Sequence, residues 1–231
     1  MTSPRDDHTA EKPSRPGSTA TGAGRDPGVS PADIDAAAAR IAGRAIRTPL
    51  LHSAPMSQRS GATVLIKAEH RQLTGSFKLR GALNKVFALP EKQATGGVVT
   101  ASSGNHGIGV ATAAAARGVP CTVYLPAGAS PSKVDAIARL GATIVTVDGT
   151  DTALAESAAG EAARAHGLVY ISPYNDRDII AGQATIAAEL LDDVATLGTG
   201  SLDAVVVAVG GGGLISGIAS GLVERSPHTA V

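Results

Sequence analysis

The chain has 231 residues, 43% hydrophobic and 17% charged, with a mean hydropathy of +0.12. That is enough apolar material for a core and excludes a wholly disordered or polyelectrolyte chain. Twenty basic residues balance twenty acidic ones, so no net field draws the chain to nucleic acid or to an anionic membrane. Two Phe, three Tyr and no Trp give no stacking platform for single strands. The single cysteine, Cys121, excludes an intrachain disulfide and a multi-cysteine metal cluster, and no metal site is assigned.

Met1 to Ser30 is polar and rich in Pro, Gly, Ser and Thr, without the apolar run of a secretory signal; it reads as a disordered tail. Ser30-Pro31 caps a helix running through Ala36 to Ile41. Thr48-Pro49-Leu50 reads as loop, Thr63 to Lys67 as a strand, and Ser76 to Leu89 as a helix ended by Pro90. Strand and helix then alternate. The strands are Gly97–Ala101, Thr122–Leu125, Thr143–Val147 and Leu168–Ile171. The helices are Asn105–Arg117, Pro131–Leu140, Thr152–His166 and Asp178–Asp193, three of them closed by Gly118, Gly141 and Gly167. Such alternation implies an α/β fold with a parallel sheet covered on both faces.

Ala204 to Val223 is uncharged and long enough to span a bilayer. Gly210-Gly211-Gly212-Gly213 interrupts it, however, and each glycine weakens a helix by roughly 1 kcal/mol relative to Ala. Ala204 to Val209 is short and rich in β-branched valine, so strand, glycine loop and helix (Leu214 to Glu224) is the better reading, and with it a soluble, cytoplasmic protein. Thr229-Ala230-Val231 looks like the start of another strand. An unfinished parallel sheet suggests a fragment of a longer protein.

Three segments carry chemistry. Thr74-Gly75-Ser76-Phe77-Lys78-Leu79-Arg80-Gly81 places a lysine in the first turn of a helix, among apolar neighbours and beside a cation. Desolvation and a nearby positive charge both lower an amine's pKa and make it nucleophilic, although most helix lysines are only solvated. Ser102-Ser103-Gly104-Asn105-His106-Gly107 follows a strand and opens a helix, where hydroxyls and N–H groups without helical partners suit an anion as well as a plain cap. Val209 to Leu214 is a strand-to-helix glycine loop. It lacks the third glycine of a dinucleotide fingerprint and the Gly-Lys-Ser/Thr of a P-loop, so it suits a small phosphorylated cofactor, or else serves only tight packing. A fourth segment, Ile180 to Thr185, opens a helix and says little alone.

Taken in order, these segments resemble the pyridoxal-phosphate enzymes of fold type II, over roughly residues 31 to 231. The similarity is strongest to the threonine/serine dehydratase and serine racemase branch. Phe rather than Val before Lys78, and His at 106, set the chain apart from the sulfhydrylase pattern of cysteine synthesis; Ser103 is similar to the racemase-like dehydratases. Ala184 departs from the family's Gly-Gln-Gly-Thr pattern. The family chain continues for about a hundred further residues, which carry the pyridine-nitrogen partner and the metal-site acids of the racemase branch.

The resemblance implies two lobes: a large one from 31–92 and 173–231, incomplete at its C-terminus, and a small one from 93–172. It implies pyridoxal 5'-phosphate as cofactor, held by Phe77, Lys78, Asn105, Gly210, Gly211, Gly212, Gly213 and Leu214. Lys78 and Ser103 would be the catalytic groups. Ser102, Ser103, Asn105 and His106 would bind substrate. The implied reaction is deamination of L-threonine or L-serine by loss of water, as in isoleucine biosynthesis. The alternatives are a serine racemase, a dehydratase for another hydroxy amino acid, or, in another class, a non-catalytic relic or phosphate-ligand module. An amino acid is the implied partner, with a dimer or tetramer of the chain possible.

Overall fold

The structure, a computed structural model, describes residues 28–198 and 200–231. Apart from Gly28 to Ser30, the tail expected to be disordered lies outside the described residues. Helix α1 (Pro31–Ile41) begins as its sequence predicts: the Ser30 hydroxyl accepts from the Asp33 N–H, and the Asp33 carboxylate accepts in return from the Ser30 N–H. These bonds, with Arg177, hold the Asp33 carboxyl at about 2.

Leu50 does not continue a loop. Leu50–His52 is a short strand, β1, paired antiparallel with β2 (Leu65–Lys67), with α2 (Ala54–Ser60) between them. Three residues beside a proline are too few to show a period. After the 3₁₀ turn Glu69–Arg71 come α3 (Lys78–Ala88) and α4 (Glu91–Gly96).

Next is a parallel sheet of β3 (Val98–Ala101), β4 (Cys121–Pro126), β5 (Thr143–Val147) and β6 (Val169–Tyr170), in spatial order β5-β4-β3-β6. The connecting helices are α5 (Asn105–Arg117), α6 (Pro131–Arg139) and α7 (Thr152–His166). Alternation along the strands sorts the side chains. Val98, Val123 and Leu125 pack with α3 and α5, whereas Val99 and Ala101 pack with Ala155, Ala159 and Ala163 of α7. Gly118, Gly141 and Gly167 each stand at positive φ where a helix ends.

Helix α8 (Arg177–Leu197) packs both on α9 (Gly213–Val223) and on α3. Close approach is bought with small residues. A Cβ on Gly182 would lie 2.5 Å from the Gly81 Cα and 2.7 Å from the Arg80 carbonyl oxygen. A Cβ on Gly217 would lie 2.8 Å from the Ala184 nitrogen. Ala184 is fully buried there, so the extra methyl at this position is matched by a missing one on α9.

Ala204 to Val209 forms no strand. Ala204 makes one parallel bridge, to Ala230, through Val205 N–H to the Ala230 carbonyl at 2.8 Å and Ala230 N–H to the Asp203 carbonyl at 2.9 Å. A ladder needs successive partners, and among the described residues the segment has only this one. Val206 is 98% exposed. Within the described residues no helix is long and apolar enough to cross a membrane.

The crossing of α3 and α8 makes a clear prediction. Gly182→Ala drives a methyl into backbone on the facing helix, which repacking does not relieve, and should cost about 3 kcal/mol or abolish soluble expression. Gly160→Ala on α7 meets only the Arg164 guanidinium at 3.6 Å and should add about 0.5 kcal/mol. Thermal denaturation of the two variants beside the parent checks both signs.

Candidate active site

In a parallel sheet, a crevice opens beyond the carboxyl ends of the strands where the strand order reverses. Here the chain leaves β3 toward β4 and β5, then returns to place β6 on the other side of β3. The residues just past β3 are Ser102 and Ser103; those just past β6 are Ile171 to Asn175. Ser102, Ser103 and Pro173 line one cavity of about 160 Å³, with Pro126, Thr152 and Glu156 on its other walls. A larger, shallower depression of about 550 Å³ over Arg47, Leu50 and Asp192 holds none of the predicted residues.

Lys78 opens α3 and sends its amine across to the end of β6, where Nζ donates to the Pro173 carbonyl at 2.6 Å. Burial lowers its pKa from the usual lysine value. The neighbouring cation invoked from the sequence is not the cause, and this corrects that expectation. Arg80 is fully buried and its guanidinium is bound by two carboxylates. Nε donates to Glu69 at 2.9 Å and Nη1 to Glu189 at 2.6 Å. Glu69 lies 11 residues before Arg80 and Glu189 109 residues after it, both outside the motif, which is why the pairing could not be read from it. Helix α5 lies directly against the lysine: a Cβ on Gly109 would sit 3.4 Å from the Lys78 carbonyl.

The glycine loop meets the same segment from the opposite side. Gly212 stands at φ +87° as the residue before α9. A Cβ on Gly211 would overlap the Tyr174 ring, and one on Gly213 would lie 2.9 Å from the Tyr174 carbonyl oxygen. Gly210 has open space around it and, like Gly211, is exposed. Phe77 and Leu214 pack against one cluster, with Ile186, Leu190 and Ile218. The Lys78 amine lies 5.4 Å from the Phe77 ring centre. The lysine, the serine loop and the glycine loop thus converge on Ile171 to Asn175. Nothing local singles out Pro173 and Tyr174, since a Pro-Tyr pair at a strand end is ordinary turn material.

Within the serine loop, the Ser102 hydroxyl accepts from the Gly104 N–H at 3.1 Å, Ser103 is half-buried and Asn105 is exposed. His106 is buried, and Nε2 stands 3.2 Å from the Ile171 carbonyl. A carbonyl only accepts, so the ring carries its proton on Nε2. Nδ1 is then a lone pair with no partner among the described residues, and the ring has no second proton to offer an anion. Burial depresses the His106 pKa from 6.5 to about 4. An unfolded histidine protonates near 6.5 and the folded one only near 4, so stability is complete above that window and falls as pH drops through it. Denaturant melts between pH 7 and pH 4 should lose roughly 3 kcal/mol from this group, and the loss should vanish in His106→Gln.

An amine of lowered pKa, a helix start flanked by hydroxyls, and bare backbone before α9 fit a phosphorylated aldehyde: the amine for the carbonyl, N–H groups for the phosphate. A buried Thr74 hydroxyl with no partner among the described residues, four residues before Lys78, leaves a further polar atom for a ligand. Comparison with known proteins agrees. A family model described as pyridoxal-phosphate dependent enzyme matches residues 41–231. L-threonine ammonia-lyase of Geobacter sulfurreducens is 39% identical over 83% of this chain and 46% of that protein. L-threo-3-hydroxyaspartate ammonia-lyase of a Pseudomonas species is 43% identical over 84% of this chain and 59% of its own length. The chain spans about half the length of such curated relatives. The structure of maize serine racemase superposes with a TM-score of 0.81 at 37% identity, over 87% of this chain and 59% of that one. With a family match that reaches from residue 41 to the last residue and relatives this similar over four-fifths of its length, the chain belongs to the pyridoxal-phosphate-dependent enzymes and has their type II α/β fold.

Proposed function

We propose that the chain is part of a lyase that removes water and then ammonia from L-threonine or L-serine, leaving a 2-oxo acid. The observation that supports this best is the Lys78 amine, of lowered pKa, bonded to a carbonyl that borders the Ser102–Ser103 cavity. The name of the Geobacter relative is consistent with this reaction. The lobe division at 92/93 and 172/173 follows the same reading, with the cavity between the ends of β3 and β6.

In this reading Lys78 would hold the cofactor through its amine, and the same amine is the base placed to take the substrate's Cα proton. Pyridoxal phosphate, when bound, supplies the electron sink that stabilises negative charge at that carbon. Ser102 and Ser103 hold the substrate carboxylate together with first-turn N–H groups of α5, which add the favourable end of the helix dipole. His106 contributes through its backbone N–H, its ring being committed to Ile171. Asn105, exposed at the head of α5, would serve the cofactor's ring hydroxyl, and Phe77 would cover one side of the ring. Gly210 to Gly213 and Leu214 would take the phosphate. The proton taken from Cα leaves with the β-hydroxyl as water, and hydrolysis of the enamine that remains gives the 2-oxo acid and ammonia.

A second reading, amino-acid racemisation, is favoured by one observation: Ser103 lines the cavity together with Pro173, the partner of Lys78. A hydroxyl there supplies a proton donor besides the lysine. Lys78→Ala protein incubated with pyridoxal phosphate should lose the visible absorption of the lysine-bound cofactor; a retained band moves the attachment elsewhere. Ser103→Ala should keep L-threonine elimination and abolish D-serine formation, read by 2-oxo acid detection and chiral amino-acid analysis. Undiminished D-serine removes Ser103 from the role.

A further inference from the structure

The wall of the Ser102–Ser103 cavity holds one charged side chain, Glu156. It lies on α7, one helical turn beyond Thr152, which lines the same cavity; residues four apart share a helix face. Ala155 between them is buried against the sheet and fixes the rotation of the helix. Glu156 is half-buried, and its carboxylate makes no hydrogen bond or ion pair among the described residues. The Tyr170 hydroxyl senses it: burial first and then the Glu156 charge raise that group's pKa. The carboxylate is therefore held beside the cavity by the packing of α7 alone, with its charge uncompensated.

If Ser102 and Ser103 take the substrate carboxylate and Lys78 faces Cα from Pro173, the α7 wall of the cavity, with Thr152 and Glu156 as its polar residues, faces the substrate's side chain. We infer that Glu156 sets the charge preference of this enzyme, favouring amino acids whose β-substituent is an ammonium or a neutral hydrogen-bond donor and rejecting those with a β-carboxylate. This rests on the lyase reading above and adds the side-chain class to it. The physical basis is the sign of one interaction. In this small, half-enclosed cavity a β-ammonium pairs with Glu156, a β-hydroxyl donates to it, and a β-carboxylate meets like charge with no cation among the lining residues to offset the repulsion.

The test uses Lys78→Ala protein loaded with pyridoxal phosphate, which binds amino acids without turning them over. Calorimetry at pH 7 measures Kd for L-2,3-diaminopropionate, L-serine and L-aspartate, with Glu156 intact and as Glu156→Gln and Glu156→Asp. The expected result is a preference for L-2,3-diaminopropionate over L-aspartate on the order of tenfold. It should fall to about twofold or less in Glu156→Gln and be retained in Glu156→Asp, with unchanged thermal melts. An equal ratio in Glu156 and Glu156→Gln proteins, or tighter binding of L-aspartate, overturns the inference. So does failure of all three amino acids to bind. The native-lysine protein then tells which premise failed: without a visible cofactor band the lyase reading falls as well, and with the band only the role of Glu156 falls.

Discussion

The hydrogen bond from the Lys78 amine to the Pro173 carbonyl joins the start of α3 to the end of β6, and the rest of the site is arranged around it. It fixes where an amine of lowered pKa sits relative to a sheet edge. The two ends of the strap that carries Pro173 are held separately. At one end the Ile171 carbonyl accepts from the Thr100 hydroxyl at 2.8 Å and from His106 at 3.2 Å. At the other, Asp176 caps α8 by accepting from the Asp178 and Ile179 N–H groups. A short segment pinned at both ends presents its middle, Pro173 and Tyr174, to the lysine on one side and the glycine loop on the other.

Two kinds of contact hold α3 in place for that bond. The first is steric: the absence of side chains at Gly81 and Gly182 lets α3 and α8 touch backbone to backbone. The second is ionic. Arg80 lies between Glu69 and Glu189, and Lys67 pairs with Glu189 at 2.7 Å and Asp193 at 2.9 Å. Burying these charges costs desolvation energy that pairing largely offsets, so the network adds little net stability but strongly disfavours any arrangement that breaks one pair. It fixes the register of α3 against α8, and through α3 the origin of the Lys78 side chain.

Much of this was legible in the sequence because it depends on neighbours in the chain. The alternation of β-branched runs with alanine-rich helices, the Ser30-Pro31 cap and the glycine stops at 118, 141 and 167 are local signals, and the structure carries them all. What was not legible depends on residues far apart. The partners of Arg80 at 69 and 189, the reach of Lys78 to 173, and the seat of the glycine loop on Tyr174 are set by the fold as a whole. The Ala204–Val209 segment shows the limit from the other direction: its composition is that of a strand, but a strand is defined by what lies beside it, and here one bridge is all it finds.

That segment also has a material consequence. Past the Ala204 bridge this run exposes Val206 and Val209 beside backbone donors and acceptors that have no partner among the described residues, with neither a lysine nor a proline to blunt it. Such a margin templates pairing between molecules. The handling of the purified chain will therefore be governed by protein concentration as much as by temperature, with oligomers built through bare edges as the competing state.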